Sequence, residues 1–199
     1  MTRSGIPEIN SGQALNEVKW MDLMKKIKNN IILIGFMGAG KTTIGKLLAK
    51  YLHRKFIDTD NLIEKFAGKS VSRIFNEDGE KKFRSLEKKM ISKIVQKDNL
   101  VIAVGGGAVT KPKNLSKLKK NGTLVYLYAI AKEILKRIYN KHHRPLMEIA
   151  ISKKEKLIRI KDLLAIRKTY YEKADYTLNT SNLNTYQVAK KIIKLLKLS

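Results

Sequence analysis

From residue 30 onward, apolar residues occur in short runs that are separated by longer stretches with helical spacing of apolar and polar positions. Five of the runs have the length and the aliphatic content of buried strands. They are residues 31–34, 56–57, 100–104, 124–127 and 176–178. The stretches between them predict helices near residues 41–52, 61–67, 77–97, 112–120, 131–140, 154–172 and 184–197. This alternation predicts an α/β fold of three layers, with a central five-stranded parallel sheet flanked by helices.

Two segments depart from the alternation. Residues 1–29 are polar and precede the first predicted strand, so we expect a variable N-terminal extension without chemistry. Residues 141–153 hold two histidines and Pro145 and have no strong period, which predicts a mobile loop. The rest of the chain, residues 30–199, has the length of one domain with an ordinary core.

The composition narrows the class of protein. A hydrophobic share of 43% is typical of a folded globular chain. No apolar run approaches the roughly 18 residues needed to cross a bilayer, and the N-terminus lacks the apolar centre of a signal peptide. The absence of cysteine excludes disulfides and thiolate metal sites. We therefore expect a cytoplasmic protein with no membrane partner.

The formal net charge of +25 raises the question of a nucleic-acid or membrane partner. Of the 42 basic residues only eight are arginine, and the lysines are spread over nearly every predicted helix. A dedicated nucleic-acid site more often concentrates arginine and aromatic residues on one face. The pattern favours a solvated lysine surface, and we expect no specific nucleic-acid partner.

The segment from Gly35 to Thr42 reads GFMGAGKT and matches the phosphate-binding pattern G-x-x-x-x-G-K-[ST]. It follows the first predicted strand and opens a helix, where backbone N–H groups and the helix dipole favour phosphate. Lys41 would reach the β- and γ-phosphates of a nucleotide, and the hydroxyl of Thr42 would bind Mg²⁺. The alternative is a glycine turn that only packs the helix. The predicted nucleotide contacts are Gly38, Ala39, Gly40, Lys41, Thr42 and Thr43.

Two carboxylates, Asp58 and Asp60, follow the second predicted strand. Ligands of open α/β sheets bind at the carboxyl ends of the strands, so both side chains are expected to face the phosphate-binding loop. One carboxylate could help to hold hydrated Mg²⁺ while the other orients a substrate hydroxyl and accepts its proton. Alternatively Asp60 only caps the next helix, and position alone does not separate the two interpretations.

Three glycines, Gly105 to Gly107, follow the third predicted strand and would let a ligand approach the backbone closely. A flexible turn is the alternative interpretation. Arg84, Arg144 and Arg167 are further candidates, because a chain that otherwise uses lysine has arginine at these positions. A guanidinium group binds carboxylate or phosphate through two parallel hydrogen bonds, which lysine cannot reproduce.

The succession of these motifs resembles the shikimate kinase family from about Ile31 to the C-terminus. The phosphate-binding loop is followed by Asp58-Thr59-Asp60, Gly79-Glu80, Phe83-Arg84 with Glu87, Gly105 to Gly107, Arg144-Pro145-Leu146, and Arg167 with Tyr170 and Tyr171. The resemblance implies a P-loop kinase fold with a mobile lid at about residues 137–156. It also implies transfer of the γ-phosphoryl group of ATP to the 3-hydroxyl of shikimate, on the route to chorismate and the aromatic amino acids.

The resemblance further implies roles for individual residues. Asp60 is similar to the family's ligand of the shikimate hydroxyl and its base, and Asp58 to the carboxylate near Mg²⁺. Arg84 and Arg167 resemble the pair that binds the substrate carboxylate, next to a backbone contact from the glycine triplet. Arg144 resembles the lid arginine that closes on the phosphates, and Arg137 resembles an adenine-stacking residue. We expect a monomer that uses ATP, Mg²⁺ and shikimate.

Two rival functions remain open on the sequence. A gluconate or nucleotide kinase would also combine a phosphate-binding loop with a lid, although the arginines beside Asp60 favour a carboxylated acceptor. A basic nucleic-acid-binding nucleotide hydrolase would explain the charge, but the sequence lacks a recognisable RNA-binding module.

Overall fold

A parallel sheet of five strands forms the centre of the fold, as the sequence predicts. The computed structural model describes residues 30–139 and 152–197. Strands β1 to β5 are Asn30–Ile34, Lys55–Asp58, Leu100–Ala103, Gly122–Tyr128 and Tyr176–Asn179. Their order across the sheet is β2-β3-β1-β4-β5, and every neighbouring pair is parallel.

Helices cover both faces of this sheet. The described residues form eight α-helices and a short 3₁₀ helix at Ala108–Thr110. Helices α1 to α8 are Lys41–Tyr51, Thr59–Ala67, Val71–Glu77, Gly79–Ile94, Pro112–Lys120, Ala131–Ile138, Lys153–Tyr171 and Thr185–Lys197. None of the described helices is long and apolar enough to cross a membrane.

The central strand β1 supplies core residues to both layers. Ile31 and Leu33 pack in the cluster that holds α1 and α8, whereas Ile32 and Ile34 pack in the cluster that holds α4 and α5. All four side chains are at most 1% exposed. A strand that is buried on both faces reads as a continuous apolar run, which explains why its sequence shows no alternation.

The segment before α4 differs from the prediction. The sequence pattern predicted no helix between those near residues 61–67 and 77–97, but α3 forms there, directly before α4. The side chain of Ser70 accepts a hydrogen bond from the Arg73 N–H and caps α3. Gly79 then has a φ of 78°, which interrupts the helical path. The amphipathic pattern of α3 was too short to predict a helix.

The strand order fixes which loops meet at the carboxyl edge of the sheet. Since β3 lies between β2 and β1, the glycine triplet after β3 lies between the Asp58–Asp60 turn and the phosphate-binding loop. The N-terminal extension and Arg144 lie outside the described residues, as does most of the predicted lid.

Candidate active site

The loop between β1 and α1 is shaped by three glycines. Gly35, Gly38 and Gly40 have φ values of 140°, 77° and 98°, in a region that other residues rarely adopt. A Cβ atom added to Gly35 would lie 2.5 Å from the carbonyl oxygen of Leu127. The loop therefore needs glycine for its conformation, and it presents the N-terminus of α1 to the cleft, where the helix dipole favours an anion.

Lys41 lies across this loop. Its ammonium group donates hydrogen bonds to the carbonyl oxygens of Gly35, at 2.8 Å, and Phe36, at 3.0 Å. These contacts hold the positive charge at the mouth of the loop, next to the N-terminus of α1. A phosphate group in the loop would meet both this ammonium and the backbone N–H groups.

Thr42 and Asp58 connect the loop to strand β2. The Thr42 hydroxyl donates to Oδ2 of Asp58 at 2.7 Å, and Oδ1 of Asp58 accepts from the Asp60 N–H at 3.1 Å. Asp58 is thus the N-cap of α2, which begins at Thr59. The interpretation of Asp60 as the cap was wrong, because the helix begins two residues earlier than the pattern indicated.

Thr59 anchors the same turn to the next strand. It is fully buried, and its hydroxyl oxygen accepts a hydrogen bond of 2.9 Å from the Gly105 N–H. Sequence reasoning named the two flanking aspartates but gave Thr59 no role. The sequence did contain a signal for this role: a residue with a hydroxyl group directly after a strand can form a hydrogen bond with a nearby backbone group.

A different charged side chain lies near each glycine of the triplet, and at Gly105 and Gly107 it leaves no room for a Cβ atom. A Cβ atom on Gly105 would lie 2.6 Å from Oδ1 of Asp60. On Gly106 it would lie 3.5 Å from Nη1 of Arg167, and on Gly107 it would lie 2.7 Å from Nη2 of Arg84. The structure therefore brings together Asp60 and both arginines around one short stretch of backbone. The interpretation of the triplet as only a flexible turn does not account for these contacts.

Arg84 is held by two carboxylates on its own helix. Its Nη1 lies 3.0 and 2.9 Å from the two oxygens of Glu87, and its Nε donates to Glu80 at 3.0 Å. Burial raises the pKa of Glu87, and the charge of Arg84 offsets only part of that effect. Burial lowers the pKa of Arg84, but the charge and hydrogen bonds of Glu87 and Glu80 outweigh it and raise the pKa overall. Both contacts to Glu87 come from one nitrogen of Arg84, which faces the two oxygens of the carboxylate.

Arg167 approaches the triplet from α7. Its guanidinium stacks over the ring of Phe36, at 5.4 Å from the ring centre. Phe36 belongs to the phosphate-binding loop, so Arg167 lies between that loop and Gly106. The two arginines come from different helices, and together with the triplet they can receive a small carboxylate through their planar donor groups.

Arg137 lies at the opposite end of the cleft. Its guanidinium donates to the carbonyl oxygen of Thr180 at 2.8 Å and to that of Gly38 at 3.4 Å, and its Nε donates to Glu133 at 3.2 Å. Thr180 is buried, and its hydroxyl donates to the Tyr128 carbonyl at 3.0 Å. These contacts hold a planar cationic group beside the phosphate-binding loop, where it could stack on a base.

One open cleft of about 690 Å³ runs along the phosphate-binding loop and reaches Asp60, and Arg84, Arg167 and the glycine triplet lie outside its lining. That volume is in the range of small-molecule sites. Its lining includes the phosphate-binding loop from Gly38 to Thr43, the carboxylates Asp58 and Asp60, Arg137, and the start of α8. Residues 30–139 and 152–197 contain no cluster of three or more His, Asp or Glu side chains that could hold a metal ion by themselves. One hydroxyl and one carboxylate fit Mg²⁺, because this ion usually takes few protein ligands and completes its shell with phosphates and water.

Comparisons with known proteins agree with this geometry. The family model described as shikimate kinase matches residues 37–197. A shikimate kinase of Caldanaerobacter subterraneus subsp. tengcongensis is 47% identical over 165 residues, which are 83% of this chain and 94% of the relative. A shikimate kinase of Thermodesulfovibrio yellowstonii is 45% identical over 165 residues, with 83% and 93% covered. The solved shikimate kinase from Acinetobacter baumannii in complex with shikimate superimposes with a TM-score of 0.80 at 38% identity, and the match covers 84% of this chain and 92% of that one.

Proposed function

Since the chain belongs to the shikimate kinase family, we propose that the groups around its cleft divide one phosphoryl transfer between a nucleotide side and an acceptor side. The enzyme transfers the γ-phosphoryl group of ATP to the 3-hydroxyl of shikimate and releases ADP, in the biosynthesis of aromatic amino acids. Phosphoryl transfer needs positioning and charge stabilisation rather than covalent chemistry by the protein. Each side chain around the cleft contributes either positioning or charge stabilisation.

On the nucleotide side, the backbone N–H groups from Gly38 to Thr43 bind the phosphates. Lys41 already lies at the mouth of the loop and contacts the β- and γ-phosphates, where it stabilises the charge that moves between them. Arg137 stacks on adenine, which its hydrogen bonds to Thr180 and Gly38 support. Arg144 closes on the phosphates as part of the lid.

Thr42 and Asp58 would hold Mg²⁺ on the nucleotide side. Their 2.7 Å hydrogen bond brings a hydroxyl and a carboxylate together beside the loop. When bound, Mg²⁺ supplies positive charge to the phosphate oxygens. Because Asp58 also caps α2, the same carboxylate fixes the start of the helix that carries Asp60.

On the acceptor side, Asp60 orients the 3-hydroxyl of shikimate and accepts its proton as the oxygen attacks the γ-phosphorus. Arg84 and Arg167 bind the shikimate carboxylate, and the backbone of the glycine triplet completes this subsite. The carboxylate clamp and Asp60 together fix two points of the ring, so that the hydroxyl stays on its line of attack. We propose that residues 30–199 form the catalytic domain and that residues 1–29 take no part in the reaction.

The observation that carries this assignment is the glycine triplet with its three charged neighbours. Asp60, Arg167 and Arg84 each lie near one glycine, which gives one proton acceptor and two guanidinium groups that can donate hydrogen bonds to a carboxylate. Two guanidinium groups also fit the phosphate of a nucleotide acceptor, so the contacts by themselves indicate an anionic acceptor and the family match selects shikimate. Gluconate also carries a carboxylate, so it is the stricter rival.

The test measures ADP release from ATP and Mg²⁺ with shikimate, gluconate, AMP or RNA added in turn. We expect turnover with shikimate and background release with the other three. Equal ADP release with and without shikimate contradicts the assignment. Omission of Mg²⁺, with EDTA present, should abolish the shikimate-dependent rate.

A further inference from the structure

The hydroxyl of Tyr171 makes a short hydrogen bond to the glycine triplet. Tyr171 is the last residue of α7 and is fully buried. Its hydroxyl donates to the carbonyl oxygen of Gly106 at 2.6 Å. A buried tyrosine usually finds a partner for its hydroxyl, but here the partner lies at the centre of the proposed carboxylate subsite.

The ring of Tyr171 is fixed by a second tyrosine. It stacks on Tyr126 of β4, with ring centres 4.8 Å apart and planes inclined by 24°. Burial raises the pKa of Tyr171, and the charge of Arg167 offsets only part of that rise. The hydroxyl therefore keeps its proton at neutral pH and remains a donor to Gly106.

Arg167 and Tyr171 lie one helical turn apart on α7, so they share a face of that helix. A Cβ atom on Gly106 would lie 3.5 Å from both the Arg167 Nη1 and the Tyr171 hydroxyl. One face of α7 thus brings a guanidinium and a hydroxyl close to Gly106. The hydroxyl interacts with both Arg167 and the Gly106 carbonyl, so it links the arginine to the backbone of the triplet.

The hydrogen bond also fixes the orientation of a peptide group. The described chain has no cis peptide bond, so the Gly107 N–H points away from the Gly106 carbonyl that Tyr171 holds. Gly105 donates its N–H to Thr59, and Ala108 donates to the Gly105 carbonyl. Among the described residues, the N–H groups of Gly106 and Gly107 donate to no protein acceptor. Both N–H groups are therefore available to a ligand. Because the glycine backbone is conformationally free, their orientation has to be fixed by another contact.

We propose that Tyr171 is a positioning residue for the acceptor: its hydroxyl fixes the Gly106–Gly107 peptide beside Arg167, so that the carboxylate subsite is formed before shikimate binds. This inference rests on the proposed role of Arg167 and the triplet. When the subsite is already ordered, shikimate binding does not include the entropic cost of ordering it. Loss of the hydroxyl therefore weakens shikimate binding and leaves nucleotide binding unchanged.

The test compares two variants that each remove one hydroxyl from the same stacked pair. Tyr171→Phe keeps the ring and removes the hydrogen bond to Gly106. Tyr126→Phe is the matched control, since its ring shares the stack but its hydroxyl makes no hydrogen bond to the triplet in the described residues. We expect Tyr171→Phe to raise the KM for shikimate about three- to tenfold, the range for one neutral hydrogen bond. The KM for ATP should stay within about twofold in both variants, and Tyr126→Phe should leave the KM for shikimate unchanged.

A double variant separates positioning from general packing. The hydroxyl of Tyr171 and the guanidinium of Arg167 are both proposed to act on the carboxylate subsite. Tyr171→Phe combined with Arg167→Lys should therefore raise the KM for shikimate by less than the product of the two single increases. Multiplicative effects would overturn the proposal, as would an unchanged KM for shikimate in Tyr171→Phe. Calorimetric titration of shikimate below the Tm of each variant gives the same comparison if turnover is too slow. Failure of the parent enzyme to turn over shikimate would instead reject the proposed function, so the two failures are distinguishable.

Discussion

The two sides of the cleft are built in different ways. The nucleotide side is mostly backbone from one continuous segment, Gly35 to Thr42, whose glycines adopt conformations that other residues rarely reach. The acceptor side consists of charged side chains from α2, α4 and α7 that meet at the triplet after β3. A site made of backbone depends on local conformation, whereas a site made of distant side chains depends on how the helices pack.

The two sides are nevertheless joined at two points. The Thr42–Asp58 hydrogen bond links the phosphate-binding loop to the turn that carries Asp60. The guanidinium of Arg167 packs on Phe36, a residue of the loop itself. Within residues 30–139 and 152–197, Arg84 makes no such link, because its polar partners Glu80 and Glu87 lie on its own helix. We therefore expect substitution of Arg84 to affect shikimate binding alone. Substitution of Arg167 should also have a small effect on nucleotide binding.

The largest effect is expected on the nucleotide side. Lys41→Met removes the ammonium group at the mouth of the loop and should lower kcat by about a hundredfold or more, which is typical of losing one group that stabilises the transition state. Lys46→Met is the control, since Lys46 is an exposed lysine on the same helix. Steady-state rates with saturating shikimate give the comparison. A near-normal kcat in Lys41→Met would mean that the loop has a structural role only.

A smaller effect is expected from the arginines of the acceptor side. Arg84→Lys and Arg167→Lys keep the charge but lose the planar pair of donors, so the KM for shikimate should rise about tenfold to two-hundredfold. Arg84→Lys should leave the affinity for an ATP analogue unchanged. Arg167→Lys should weaken it by no more than about fivefold, the range for one exposed cation–π contact with Phe36.

The control for these two variants is Arg73→Lys, on the exposed face of α3 and paired with Glu77. Separate titrations of shikimate and of the ATP analogue into each folded variant test the division between the two sides. If both variants bind shikimate as well as the parent, or lose nucleotide affinity instead, the carboxylate clamp is wrong.

The smallest effect concerns pH and the buried Glu87. Because burial raises the pKa of this carboxyl, acidification neutralises it at a higher pH than an exposed glutamate. Neutral Glu87 holds Arg84 less firmly, so the KM for shikimate should rise as the pH falls. Glu87→Gln should already have a KM about three- to tenfold higher at neutral pH, because the amide oxygen can still accept one hydrogen bond. Its KM should depend less on pH than that of the parent.

Glu80→Gln is the matched control for this pH series. Glu80 contacts the same guanidinium, but its side chain is 64% exposed, so its ion pair is worth little. Titration of the carboxyl group of shikimate is common to all three enzymes and cancels in the comparison. Parallel pH profiles for the parent and Glu87→Gln would show that Glu87 does not control the clamp.

The fold and the conformation of the phosphate-binding loop could be predicted from the sequence because both rest on local patterns. Five apolar runs gave the sheet, and one contiguous motif gave the loop from Gly35 to Thr42. Helix α3 was missed, since a helix of two turns has little periodic signal. The cap of α2 was misplaced because strand β2 continues directly into the helix, without a loop to mark the boundary.

For the acceptor side, the sequence indicated candidate residues but not that they lie close together. Arg84 and Arg167 were selected as arginines in a lysine-rich chain, and only the resemblance paired them. The roles of Thr59 and Glu87 depend on neighbours far apart in sequence or on burial, which a single sequence does not encode in a readable pattern. The predictions for Arg144 and for most of the lid fall on residues outside the described ranges and stay predictions.

The crowding around the glycine triplet has a consequence for inhibitor resistance. A compound that binds against residues 105–107 touches backbone that cannot gain a side chain freely, because a Cβ atom on Gly105 or Gly107 would lie within 2.7 Å of Asp60 or Arg84. Substitutions that block such a compound would also displace the groups that act on the substrate. Mutations that confer resistance are therefore expected to be rarer at the triplet than at the adenine end of the cleft, where side chains rather than glycine backbone line the site.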